Sequence, residues 1–194
     1  MTFLSKPAVI RVATAILIAT WIGQGIIAVT HTPSPDSGVE GTVEHLQLAL
    51  ITLSALAMIP IVMRLGELAG ARRAAILSLV GANAIGALCV FSNINSGDAS
   101  FFNAVAVPSM LAWFVGFVIL AVAMGRTRAV PRAYAVGLVI AFLLGGPFGN
   151  IGGGFVAALY WALLAFEIGI WSDAPAVARR PAASADPAPA GGVS

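Results

Sequence analysis

Charge is what this sequence has least of. Its 194 residues include only ten Lys and Arg and eight Asp and Glu. An average soluble chain of this length carries about a quarter charged residues, near fifty. So few charges cannot cover the surface of a water-soluble globule, and with 59% hydrophobic residues the chain belongs in a bilayer. Cysteine is nearly absent too. Cys89 alone excludes an internal disulfide framework and any cysteine-rich metal site, and its apolar surroundings predict a buried thiol. Two His residues are too few to ligate the haems of a multi-haem cytochrome. Lysine is missing but for Lys6. That bias toward Arg, with abundant Ala, is a habit of GC-rich coding and carries no mechanism. A net charge of +2 raises the question of nucleic acid, but the basic residues stand singly and in pairs, so no nucleic-acid partner is expected.

What is present is a series of long apolar runs. A spanning helix needs about 20 mostly apolar residues. Six segments are predicted to span: 8–29, 45–63, 74–91, 102–124, 133–148 and 154–171. Backbone groups in hydrocarbon must be satisfied within the segment, and no strand-like alternation appears, so the expected fold is an all-α polytopic membrane helix bundle. Lys6 and Arg11 open the first segment as they would a secretory signal. Its apolar run from Val12 to Val29 exceeds an h-region of about 7–15 residues, and no small-residue cleavage site follows, so a retained helix is expected.

Six helices place every basic residue on one side. Lys6 and Arg11 lie at the start. Arg64, Arg72 and Arg73 fall between the second and third segments, and Arg126, Arg128 and Arg132 between the fourth and fifth. Arg179 and Arg180 follow the sixth. The positive-inside rule then predicts both termini in the cytoplasm, in the plasma membrane of a bacterium. Fusing the last two segments would put Arg179 and Arg180 outside, so the charge pattern supports the count independently of hydropathy. Residues 172–194, rich in Pro, Ala, Ser and Gly, cannot bury a core and are expected to form a disordered cytoplasmic tail.

Polar groups at membrane depth are costly without a partner, which makes them the first candidates for function. Gln24, Gln47, Asn83 and Glu167 stand inside or at the edges of spans. His45 and Asn150 lie at the outer face, with His31, Asp36, Glu40, Glu44, Asn93 and Asp98 nearby. Hydrogen bonding between helices accounts for Gln24, Gln47 and Asn83 without a substrate. Glu167 sits near the cytoplasmic interface beside Trp171. A metal site from His31, Glu44 and His45 lacks the spacing of a metal-binding helix motif. No Ser or Cys stands in a nucleophile setting, so no catalytic, cofactor or metal residue is assigned. The glycine run 145–154 lacks the Lys-Ser/Thr of a phosphate loop and reads as a tight turn. Ala157, Trp161, Ala165 and Gly169 recur at i+4, a stripe suited to close helix packing within the chain or in a dimer. Gly66 and Gly70 match GxxxG at a helix end. Pro60 and Pro147 fall at similar depths of the second and fifth segments, as in an inverted repeat of two three-helix halves.

The basic turn Gly125-Arg-Thr-Arg-Ala-Val-Pro-Arg132 between two apolar helices resembles that of small uncharacterised actinobacterial multi-pass membrane proteins. The six-helix plan over residues 1–171 is similar as well. The resemblance implies architecture and no catalytic residue. The expected function is that of a non-catalytic interaction or accessory membrane protein. Its partners would be the bilayer and another membrane protein, or a second copy through the Ala165/Gly169 face. A small-solute transporter or permease subunit is the first alternative. A membrane enzyme using Glu44 and His45 at the outer face is the second.

Overall fold

The computed structural model describes residues 6–31, 39, 41–146 and 152–171. Among them are six helices and no strand: α1 (Pro7–Thr30), α2 (Thr42–Leu68), α3 (Arg72–Asn95), α4 (Phe102–Thr127), α5 (Arg132–Gly145) and α6 (Gly153–Glu167). The first four, of 24 to 27 residues, are long and apolar enough to cross a membrane. α5 and α6 are apolar but have 14 and 15 residues. At about 1.5 Å per residue that is some 21–23 Å, short of a hydrocarbon core of about 30 Å. The expected tail, 172–194, lies outside the described residues, as do Pro147 and Asn150.

Helix ends follow the glycines. α2 runs past the predicted end at Met63 because nothing stops it before Gly70. That residue takes φ +64, and the Ala71 amide returns to the Gly66 carbonyl at 2.8 Å. This is the reverse turn that closes many helices, and it gives Gly70 the role of the α2 cap. Helix geometry continues through Pro60 to Leu68. α6 ends the same way: Gly169 has φ +74 and the Ile170 amide returns to Ala165 at 2.9 Å. Gly169 therefore serves as the cap of α6.

Each helix packs on the next, and α6 returns to α1, so the bundle closes as a ring. The directions alternate. Arg11 at the start of α1 donates from Nε to the Ile170 carbonyl beyond the end of α6, at 2.8 Å. At the opposite end, His31 after α1 meets Glu44 at the start of α2. A cation on the last carbonyls of a helix also suits the helix dipole. Lys6, Arg11, Arg64, Arg72, Arg73, Arg126, Arg128 and Arg132 accordingly share one end, here called the basic end.

Without a hydrophobic drive between helices in lipid, close packing has to come from small residues and shape. The α3–α4 contact is made this way. A Cβ added at Gly81 would meet the Trp113 amide nitrogen at 2.5 Å, and one at Gly116 would meet the Ser78 amide nitrogen at 2.5 Å. α1 and α6 approach similarly, with Gly154 against the backbone of Gly25. Ala157, Trp161 and Ala165 are buried within the chain. The stripe read from the sequence is thus used inside the bundle.

The ring interior is filled. Trp113 meets Phe142 edge-on at 5.1 Å between ring centroids, and Phe117 lies 6.4 Å from Trp161, which joins α4, α5 and α6. Leu17, Met58, Ile61, Leu120, Leu138 and Leu164 are completely or almost completely buried around them. Three buried hydroxyls turn to their own helices: Thr14 donates to Ile10 at 2.7 Å, Ser54 to Ile51 at 2.8 Å and Ser78 to Ala75 at 2.8 Å. The outer surface is apolar as well. Val107 and Leu111 on α4 are 66% and 60% exposed, and Val80 on α3 is 60% exposed. An apolar exterior around an apolar core fits a lipid environment and not water.

Candidate functional site

The polar side chains named from the sequence divide among several places. At the end opposite the basic one, the first turn of α2 carries Glu44 and His45, which point to different neighbours. His31 Nε2 and Glu44 Oε1 are 2.9 Å apart, a pair that ties α1 to α2. His45 donates from Nδ1 to the Asn93 side-chain oxygen of α3. Beside it, Ser92 donates to Asp98 at 2.6 Å. Glu44 also sits in the first helical turn, where an acid is favoured by the exposed N–H groups. Each imidazole is thus engaged by a different group. Among the described residues, no group of three or more His, Cys, Asp or Glu is placed to hold a metal ion.

Deeper in the bundle the candidates stay local. Asn83 donates from Nδ2 to the Leu79 carbonyl of its own helix at 2.9 Å. The α2–α3 bridge that the sequence did not single out is Thr52, whose hydroxyl reaches both Leu48 of its own helix and Gly86 of α3, at 3.0 and 3.2 Å. Gln24 on α1 has a buried Nε2 without a partner among the described residues, as do the indole N–H groups of Trp21 and Trp113. Gln47 is half-buried on α2, and Glu167 is exposed at the end of α6. Asn150 falls outside the described residues.

Two grooves mark the surface, and none of these residues lines either. One, of about 490 Å³, lies between α1 and α2 and is wholly apolar, with Val9, Val12 and Leu56 in its walls. The other, of about 700 Å³, lies between α4 and α5 at the basic end, and Arg126, Arg128 and Arg132 stand among its lining residues. Sequence reasoning treated these three arginines as markers of orientation and missed that the fold gathers them at one groove. The signal was present in their spacing: Arg126 follows Val118 and Val122 at i+4, and Val136 and Ile140 follow Arg132 likewise. No protein-family model matches the chain, and comparison with curated proteins and with solved structures finds no match.

Proposed function

We propose that the chain is a six-span protein of a bacterial plasma membrane, with both termini cytoplasmic, that acts as a non-catalytic interaction or accessory protein. The observation that carries this reading is the filled interior. Trp113, Phe117, Phe142 and Trp161 occupy the space between helices where a transport pathway would run. Polar groups at the outer end support it by engaging one another in pairs, His31 with Glu44 and His45 with Asn93. Any partner would meet the outward helix faces, because Ala157 and Ala165 are spent inside the chain. Collection of the basic residues at one end supports the orientation.

Topology is tested with single cysteines in a Cys89→Ser background. Gly97→Cys, in the α3–α4 connection, should react with an impermeant maleimide on intact cells, and Arg73→Cys only after permeabilisation. Gly149→Cys decides between two full spans and a re-entrant α5–α6 pair: labelling from the Gly97 side supports six spans, and no labelling from that side refutes them. For function, reconstituted protein should pass no small solute faster than protein-free vesicles. A flux abolished by Asn83→Ala or Gln24→Ala would replace the accessory reading with the transporter.

A further inference from the structure

The α4–α5 groove combines two chemistries in a fixed order. On α4, Val118, Val122 and Arg126 share one face; on α5, Arg132, Val136 and Ile140 share the facing one. Each wall is apolar along the bundle and ends in a guanidinium. Eight residues at about 1.5 Å rise set the ends of each apolar stripe roughly 12 Å from its arginine. Arg128, held in the left-handed conformation at φ +54 where α4 ends, adds a third guanidinium. All three arginines are exposed, and no acidic residue lines the groove. Among the described residues none of the three forms an ion pair, whereas Arg64 at the same end pairs with Glu67 at 3.5 Å. α5 adds to the field there. It begins behind Pro131 with no side-chain cap and no acid in its first turn, so its free N–H groups favour an anion.

We infer that this groove binds one anionic phospholipid. The three arginines hold its phosphate, and an acyl chain lies along Val118, Val122, Val136 and Ile140. Charge complementarity selects the occupant. Guanidinium groups form forked hydrogen bonds with phosphate oxygens, and basic pockets between membrane helices on the cytoplasmic side recruit acidic headgroups. A free phosphate leaves the apolar trough empty, and a zwitterionic lipid brings a cation toward three guanidinium groups. A diacyl anionic lipid satisfies both parts at once. The α1–α2 groove, apolar with no charge among its lining residues, serves as the internal contrast. The assignment goes beyond the accessory reading and rests on the bundle lying in a bilayer with its basic end in the cytoplasm.

The test uses the full chain in nanodiscs of equal parts phosphatidylcholine and phosphatidylglycerol, with retained lipid read by native mass spectrometry. One phosphatidylglycerol should be retained preferentially. At about fivefold per arginine, Arg126→Gln, Arg128→Gln and Arg132→Gln together should reduce that preference roughly a hundredfold. Arg72→Gln with Arg73→Gln, at the same end but away from the groove, should leave it unchanged. Val136→Trp fills the trough without altering charge and should also release the lipid, which keeps the test sound if the triple variant inserts poorly. Glycerol phosphate at the same concentration should not displace the lipid. Equal retention of both lipids overturns the site while leaving the membrane reading intact. Displacement by glycerol phosphate, or loss in the Arg72/Arg73 variant alone, overturns it too. Failure to enter the nanodisc overturns both.

Discussion

Gly116 is one of two glycines, with Gly81, pressed against the facing backbone in the α3–α4 contact. A Cβ there would sit 2.5 Å from the Ser78 amide nitrogen, 2.7 Å from its Cβ and 2.8 Å from its Cα. Ordinary contact at such a position is 3.4–4 Å, so Gly116→Ala requires the helices to part by about 1 Å. Two of the obstructing atoms are backbone, and no rotamer change moves them aside. Overpacking of this kind costs about 1–3 kcal/mol. Alanine's better helix propensity returns roughly 0.8–1 kcal/mol. The net expectation is a loss of up to about 2 kcal/mol, and Gly116→Leu should lose more. Unfolding by SDS titration in mixed micelles, followed by the fluorescence of the buried Trp21, Trp113 and Trp161, measures it. Gly125→Ala is the matched control in the same helix, because its nearest obstruction, the Ala135 Cβ, is 4.0 Å away. That variant should be at least as stable as the parent. If Gly116→Ala proves as stable as Gly125→Ala, the idea that glycine sets the α3–α4 separation fails.

Arg11→Gln removes the guanidinium hydrogen bond to Ile170; stability should fall by about 1–2 kcal/mol, and amide exchange should quicken in the last turn of α6, the outcome a merely electrostatic role for Arg11 would not give. A double-mutant cycle of His45→Ala with Asn93→Ala should show coupling of about 0.5–1.5 kcal/mol, and strict additivity would mean that the pair does not hold α2 to α3. Gly70→Ala meets nothing within 4 Å yet must adopt φ +64, so its cost of about 1 kcal/mol is purely conformational. Gly97→Ala, equally open and without a positive φ, should be neutral when both variants are unfolded by SDS titration, and equal losses at the two positions would contradict the assignment of Gly70 as the α2 cap.

Helix positions were legible because hydropathy is local. The observed α1 differs from its predicted span by one residue at each end, and α4 begins where expected. Errors concentrate where a stop signal competes with apolar composition. α2 overran its prediction because Arg64 and Glu67 pair on the helix surface instead of ending it, and α6 stopped at Glu167 because Gly169 reverses the chain. The candidate polar residues were identified by type, but their roles depended on neighbours. Asn83 bonds within α3, while Thr52, an unremarkable hydroxyl in sequence, bridges α2 and α3.

By itself the sequence determined that this chain is helical, that its longest helices are apolar enough to cross a membrane and that its basic residues recur at every second connection, on one side of the bundle. Each of these follows from composition and spacing along one strand of chain. Only the tertiary structure decided which glycines are pressed against another backbone, that the ring interior is filled by Trp113, Phe142 and Trp161, and that His45 meets Asn93 across two helices. It likewise turned Arg126, Arg128 and Arg132 from a topological signal into one basic groove. The reason is physical: burial in lipid is a property of a single helix, whereas packing, pairing and enclosure are properties of the surfaces that two or more helices bring together.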